Sequence, residues 1–127
     1  MKVYLGIPRG FCAGVVRAID VVELALERFG SPIYIKHQIV HNPFVVSSLG
    51  RKGAVTVENV DDIPEGSTVV FSAHGSPPED YNKAKNRDLT VIDATCPLVT
   101  KVHNEAHKYE KEGRKLILIG HRDHQEV

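Results

Sequence analysis

Runs of β-forming residues alternate with helix-forming segments along the whole chain, and this alternation constrains the fold more than any other feature. The helical segments carry apolar residues at steps of three and four; Val15, Ile19 and Val22 begin one such stripe, and Gly30 ends it. Strands that alternate with helices favour a parallel sheet with helices on its faces, so the sequence predicts an α/β fold. The predicted strands are residues 2–7, 32–36, 54–58, 67–72, 89–94 and 115–120.

Some of the predicted helices have recognisable starting residues. Asn42 before Pro43 is typical of a capping residue followed by proline at the first helical position. Ser76, with Glu79 three residues later, predicts a capping box in which the serine is the N-cap. Pro97 marks the start of the last helix. Each of these starts follows a predicted strand within a few residues, as expected if short loops join strand ends to helix starts.

The composition is that of an ordinary globular domain. The 127 residues are 42% hydrophobic and 25% charged, and 16 basic residues balance 16 acidic ones. This balance does not favour a nucleic-acid or membrane surface, and no apolar run approaches the ~18 residues that a spanning helix needs. The start does not resemble a signal peptide, so we expect a cytoplasmic, reducing location. The two cysteines are then expected to be thiols or metal ligands rather than a disulfide.

Reactive side chains collect after the predicted strands. In a parallel sheet the carboxyl ends of the strands lie at one edge, where ligands bind. Each residue also has a plainer interpretation, because a single cysteine is most often a small buried hydrophobe and a single loop histidine is most often solvated. His103 and His107, four apart on one helix, fit a solvated face better than a metal pair, since no H-E-x-x-H pattern is present. The strand-end group comprises Cys12, His37, His41, His74, Cys96, His121, His124 and Glu126.

Three helix starts carry a histidine or a cysteine close to the capping position, next to Asn42, Ser76 and Pro97. A helix N-terminus presents unpaired N–H groups and the positive end of the helix dipole, which suits an anion such as phosphate and favours a thiolate. Two thiolates alone make an incomplete metal site, because zinc and iron–sulfur sites usually have three or four protein ligands. The residues therefore predict an anion-binding edge with two candidate thiolate ligands, and they leave the reaction open.

Five segments, in order along the chain, resemble the signatures of the 4-hydroxy-3-methylbut-2-enyl diphosphate reductase family. They are PRGFCAGVVRAID, KHQIVHNPFVVSSL, VVFSAHGSPP, VIDATCPLVTKVH and IGHRDHQEV. The resemblance implies a trefoil of three similar α/β domains around a central 4Fe–4S cluster. It assigns residues 1–96 to the first domain and residues 97–127 to the beginning of the second, which makes the chain an N-terminal portion. It also implies that a strand in residues 1–7 can complete the sheet of another domain.

The resemblance further implies a reaction and the residues that serve it. The reaction is the two-electron reductive dehydroxylation of 4-hydroxy-3-methylbut-2-enyl diphosphate to isopentenyl and dimethylallyl diphosphates, the terminal step of the non-mevalonate isoprenoid pathway. Ferredoxin or flavodoxin supplies the electrons, in the bacterial cytoplasm or in the plastid stroma of a eukaryote. Cys12 and Cys96 match cluster ligands, His41, His74 and His124 match substrate-binding histidines, and Glu126 matches the acid that delivers a proton.

The chain departs from the family pattern in its length. It spans less than half of the family's usual length and lacks the third cluster cysteine, so we expect the isolated chain to lack reductase activity. An alternative of a different class is a catalytically incompetent α/β module that only binds an anion or a metal. A zinc-binding module that uses both cysteines and histidines is a further alternative, which metal analysis and iron–sulfur absorption would distinguish.

Overall fold

The computed structural model describes residues 1–121, and a four-stranded parallel sheet lies at its centre. The strands pair in the order β2-β1-β3-β4, and every pairing is parallel. The predicted α/β fold with a parallel sheet is therefore confirmed, and each strand falls within a predicted run. Their bounds are Ile33–Lys36 (β1), Ala54–Val57 (β2), Thr68–Phe71 (β3) and Thr90–Asp93 (β4).

The helices are Ala13–Phe29 (α1), Pro43–Arg51 (α2), Pro78–Asn86 (α3) and Pro97–Lys111 (α4), and a short 3-10 helix spans Val60–Asp62. Of the predicted α1 stripe, Val22 is buried, Val15 and Leu26 are partly buried against the same core, and Phe29 at its end is exposed, whereas α4 has no buried residue. None of the helices within residues 1–121 combines the length and the apolar character needed to cross a bilayer.

Two apolar clusters hold the helices against the sheet. Successive side chains of β3 point to opposite faces, so each face receives part of the strand. Val70 packs in the cluster that contains Ala18 and Val22 of α1, whereas Phe71 packs in the cluster that contains Ala84 of α3. Full burial of a valine or phenylalanine side chain contributes about 1.5–3 kcal/mol. The two clusters therefore fix α1 and α3 relative to the sheet, and with them the loops that enter these helices.

One predicted helix cap is confirmed and another is wrong. The Asn42 side chain accepts hydrogen bonds from the N–H groups of Phe44 and Val45, at 3.0 and 3.2 Å. Ser76, in contrast, lies one residue before the N-cap of α3, which is Pro77, and its hydroxyl oxygen is buried without a hydrogen-bond partner among the described residues. The cause is the proline pair, because a residue that precedes proline is pushed into extended backbone, and this applies to both Ser76 and Pro77.

The strands predicted at residues 2–7 and 115–120 are wrong for this chain. Neither segment forms a strand in the structure, and residues 3–5 and 116–119 are exposed although they are apolar. A strand requires a neighbour that satisfies its N–H and C=O groups, and within residues 1–121 neither segment has one. Both segments therefore have the composition of a strand, but within residues 1–121 they have no neighbouring strand with which to pair. The predicted boundary between a first domain of residues 1–96 and a second of residues 97–127 stays a prediction.

Candidate functional site

The loops after β1, β3 and β4 and the start of α1 meet at one cavity of about 440 Å³. Since all strands are parallel, these loops leave the sheet at the same edge. The cavity brings together four of the predicted site residues, Cys12, His41, His74 and Cys96. An apolar cavity with a few converging polar groups is the usual form of a ligand site. Its apolar lining comprises Phe11, Val15, Val40, Ala73 and Val99.

The two thiols converge on the first turn of α1. Cys12 is the N-cap of α1 and Cys96 is the N-cap of α4, and both are free cysteines. A Cβ atom added to Gly14 would lie 2.6 Å from the Sγ of Cys96 and 3.9 Å from the Sγ of Cys12. Because real Cβ atoms essentially never come within 3.0 Å of another heavy atom, the hydrogen side chain of Gly14 leaves the space that the Cys96 sulfur occupies.

Helix N-termini surround this cavity, but they differ in the donors they offer. Neither Cys12 nor Cys96 makes a side-chain capping hydrogen bond, so the first turns of α1 and α4 present N–H groups that no capping side chain takes. The α2 start is different, since Asn42 already accepts from two N–H groups of its first turn. The positive ends of α1 and α4 therefore favour negative charge close to the two sulfurs.

His41 and His74 form a pair in the lining of the same cavity. Their ring centroids lie 4.3 Å apart with a tilt of 38° between the planes. His74 is buried, and its Nδ1 lies 3.3 Å from the hydroxyl of Ser72, which orients the ring. His41 is exposed, so the pair connects the buried part of the site with its surface. The structure thus joins the end of β1 with the end of β3, which the sequence separates by about 30 residues.

His37, another of the strand-end histidines, has different neighbours. Its Nε2 lies 2.8 Å from the Nζ of Lys36, and its Nδ1 forms an ion-pair contact with Glu58. Lys36 is buried and pairs with the equally buried Asp80 at 3.3 Å. His37 also lines a second cavity of about 500 Å³ together with His74, His103 and His107. His103 and His107 are exposed residues of α4, in agreement with their predicted position on a solvated face.

A polar network that the sequence did not reveal supports the loop that carries Cys96. The carboxylate of Asp93 accepts from the Thr95 N–H at 2.8 Å and from the Tyr81 hydroxyl at 2.9 Å. Burial alone would raise the pKa of Asp93, but hydrogen bonds from Thr95 and Tyr81 and the charge of Arg17 lower it below the usual value. Burial, together with the neighbouring Asp93, raises the pKa of Tyr81 to about 12.

Two signals in the sequence could have indicated these missed residues. Asp93 stands at a strand end two residues before Thr95, which is the spacing of an Asx turn. Gly14 lies inside a predicted helix, where a glycine often marks a close approach of another group. Neither signal reveals the contact between Arg17 and Thr95, because these two residues are 78 positions apart in sequence.

The two cysteines of this cavity can provide some, but not all, of the ligands that a metal ion or an iron–sulfur cluster needs. Within residues 1–121, no three His, Cys, Asp or Glu side chains are grouped so that they could hold a metal ion. The two thiols beside Gly14 can therefore provide two ligands, and the sequence contains no further cysteine. His124 and Glu126, which the sequence also predicted for the site, lie outside the described residues, and His121 is exposed.

Comparison with known proteins gives one consistent family. The family described as LytB protein matches residues 3–127. The chain is 57% identical to a protein of Pectobacterium atrosepticum named 4-hydroxy-3-methylbut-2-enyl diphosphate reductase, over 100% of this chain and 40% of that protein. A protein of Actinobacillus pleuropneumoniae with the same name is 59% identical, again over 100% of this chain and 40% of the relative. The chain thus spans about 40% of the length of the curated relatives it matches.

Solved structures are similar in the same region. A reductase from Plasmodium falciparum, described as acting on E-1-hydroxy-2-methyl-but-2-enyl-4-diphosphate, superposes with a TM-score of 0.89 at 48% identity and covers 94% of this chain and 38% of that one. A structure described as the terminal enzyme of the non-mevalonate pathway superposes with a TM-score of 0.81 at 37% identity and covers 93% of this chain and 42% of that one.

Proposed function

The chain belongs to the LytB protein family, and from this membership we propose that it forms part of a 4-hydroxy-3-methylbut-2-enyl diphosphate reductase. The relatives that carry this name match the whole of the chain, which makes up about 40% of their length. The proposed reaction replaces the allylic C–O bond by a C–H bond. It consumes two electrons and two protons and releases water, while the diphosphate stays intact. The substrate is therefore a small anionic molecule.

Cys12 and Cys96 are the proposed ligands of an iron–sulfur cluster, of the 4Fe–4S type. The observation that carries this proposal is that both sulfurs approach Gly14, in the same cavity as His41 and His74. Thiolates are the usual protein ligands of such clusters, and the bare backbone at Gly14 leaves room beside them. When bound, the cluster supplies electrons and an iron atom that can polarise a hydroxyl oxygen. A third cysteine has to come from residues beyond the 127 of this chain, which contain two.

His41 and His74 are the proposed contacts of the diphosphate group. Imidazole N–H groups can donate to phosphate oxygens, and the Ser72 hydroxyl holds the His74 ring in place for this purpose. Because Asn42 occupies donors in the first turn of α2, the histidines rather than that turn are expected to provide the recognition. The apolar lining that includes Val15 and Val40 suits the hydrocarbon part of the substrate and excludes water from it.

His124 and Glu126 complete the proposal from the sequence alone. His124 is the third proposed substrate-binding histidine, and Glu126 is the proposed donor of a proton to the departing hydroxyl. In an extended segment, residues two apart face the same side, so both can serve one substrate. Ferredoxin or flavodoxin is the proposed electron donor, since each transfers one electron at a time.

A chimera tests the proposal directly. In it, this chain replaces the matching residues of the Pectobacterium atrosepticum reductase, which are similar over the whole length of the chain. We expect the purified chimera to take up iron and sulfide anaerobically and to reduce the diphosphate substrate. Serine at Cys12 or Cys96 should abolish iron binding and activity while the protein remains folded. A folded chimera that binds iron equally well with and without Cys12 would refute the ligand assignment.

The isolated chain of 127 residues provides the complementary test. With only two thiolates beside Gly14, we expect no stable cluster and no turnover after the same anaerobic treatment. Iron content, visible absorption and substrate consumption measure this outcome. Stoichiometric iron and sustained turnover in the isolated chain would contradict the need for a third ligand from elsewhere.

A further inference from the structure

The loop that presents Cys96 has a neighbouring strand on one side only. It follows β4, which is an edge strand of the sheet formed by the described residues. On the inner side, the Ala94 N–H donates to the Phe71 carbonyl at 3.0 Å, and the Cys96 N–H donates to the Ala73 carbonyl at 2.9 Å. These two bonds attach the loop to the last residue of β3 and to the segment that follows it. On the outer side no strand of the described sheet is available to hold it.

Arg17 provides a second attachment from a different element. Its Nη1 donates to the carbonyl oxygen of Thr95 at 3.1 Å, directly before Cys96 in the chain. Arg17 itself lies in α1, one and a half turns after Cys12, and Ala18 beside it is fully buried. The guanidinium therefore links the helix that follows Cys12 with the loop that ends at Cys96.

The Thr95 residue is held at both of its backbone polar groups. Its N–H donates to the carboxylate of Asp93, and its carbonyl accepts from Arg17. The Tyr81 hydroxyl donates to the other oxygen of the Asp93 carboxylate, and Arg17 attracts that carboxylate electrostatically. Thr95 can thus neither rotate nor move away from α1 without losing a hydrogen bond to a charged group, and such bonds are stronger than neutral ones.

We infer that Arg17 is a positioning residue that sets the distance between the sulfurs of Cys12 and Cys96, acting through the Thr95 carbonyl. The inference rests on the proposed function in one respect, namely that both thiols bind the same group. Arg17 does not need to touch that group. Its effect follows from the position of Cys96 alone, so it can be measured with a simple thiolate-binding cation in place of the cluster.

Cadmium is a suitable probe because soft cations prefer thiolate ligands, and cadmium–thiolate absorption reports on the sulfurs alone. We expect the 127-residue chain to show this absorption and to lose most of it with serine at Cys12 or at Cys96. In Arg17→Gln, the cadmium affinity should fall about three- to tenfold, because the bond from Arg17 to Thr95 is exposed to solvent and is expected to contribute no more than an ordinary hydrogen bond. Arg17→Lys keeps the positive charge and can still donate a hydrogen bond, so it should recover part of the affinity.

Arg28→Gln is the matched control, because it removes the same charge from the other end of α1, where Arg28 lies over the Phe29 ring at 5.6 Å. It should leave the cadmium affinity unchanged. Asp93→Asn, which retains an acceptor for the Thr95 N–H, should weaken binding less than Arg17→Gln, and the two changes together should not be additive. Thermal unfolding is measured for all variants, because a general loss of stability would lower the melting temperature without changing affinity in the folded protein.

Two results overturn the inference, and they are distinguishable. If Arg17→Gln binds cadmium as tightly as the unmodified chain, Arg17 does not position the thiols, and the proposed function is unaffected. If the unmodified chain shows no cadmium–thiolate absorption that depends on both cysteines, the shared two-thiol site itself is absent, and the inference fails together with the ligand assignment.

Discussion

Alanine in place of Gly14 is expected to displace the sulfur of Cys96 while the chain stays folded. The added Cβ would lie 2.6 Å from this sulfur and 3.5 Å from the Cys96 Cβ. Since carbon and sulfur need a separation of at least about 3.5 Å, the sulfur has to retreat by ~1 Å. Rotation about one side-chain bond achieves this movement, so the strain is relieved locally rather than throughout the core.

The stability change and the binding change should therefore separate. Alanine is favoured over glycine in a helix by up to ~1 kcal/mol, which offsets the cost of moving one side chain, and the free energy of unfolding should change by less than about 1 kcal/mol. Metal sites, in contrast, tolerate ligand displacements of about 0.2 Å. A shift of ~1 Å at Cys96 should lower the cadmium affinity of Gly14→Ala at least about tenfold.

Gly50 offers a matched control in the same chain. It lies in α2, and a Cβ added there would meet no atom within 4 Å. Gly50→Ala should stabilise the protein by about 0.5–1 kcal/mol and leave cadmium binding unchanged. Cadmium titration followed by absorption, with thermal unfolding of the same samples, measures both effects. Gly14→Ala that binds cadmium as tightly as Gly50→Ala would refute the contact between Gly14 and the Cys96 sulfur.

Three further predictions concern the polar groups around the sheet edge. Asp80→Asn leaves the buried Lys36 without its charged partner at 3.3 Å and should cost about 3–5 kcal/mol in urea unfolding, whereas Glu79→Gln at the exposed neighbouring position should cost little. Tyr81 should ionise at about pH 12, and Tyr81→Phe should remove this step from a phenolate absorption titration. The folded-state pKa of Asp93 is lowered, so its contribution to stability is present above the unfolded-state pKa and is lost as the pH falls through the folded-state pKa. Asp93→Asn should therefore flatten the acid side of the pH–stability profile. An unchanged profile would contradict this prediction.

The features that the sequence predicted correctly are those that depend on local sequence patterns and on burial in the core. The four strands of the sheet and the α1 stripe were predictable, because their apolar residues recur with the periods that burial requires. Asn42 was predictable as a cap because its partners are two and three residues away. The convergence of Cys12 and Cys96 followed from the rule that parallel strands end at one edge.

The remaining features depend on partners that no local pattern identifies. The β-forming runs at residues 2–7 and 115–120 have the right composition, but they lack a neighbouring strand within the described chain. Ser76 has the spacing of a capping box, but two prolines move the helix start past it. The contact between Arg17 and Thr95 joins residues 78 positions apart, and only the folded chain brings them together.

The two exposed apolar segments also determine how the isolated chain behaves in solution. Residues 3–5 and 116–119 present large apolar side chains to water, and the formal net charge at neutral pH is zero, so no overall repulsion keeps two copies apart. Strand-forming segments without partners readily pair with one another between molecules. Light scattering should therefore rise steeply with concentration near neutral pH and fall as the pH moves away from it. Colloidal solubility, more than the free energy of unfolding, will limit the concentration at which this chain can be studied.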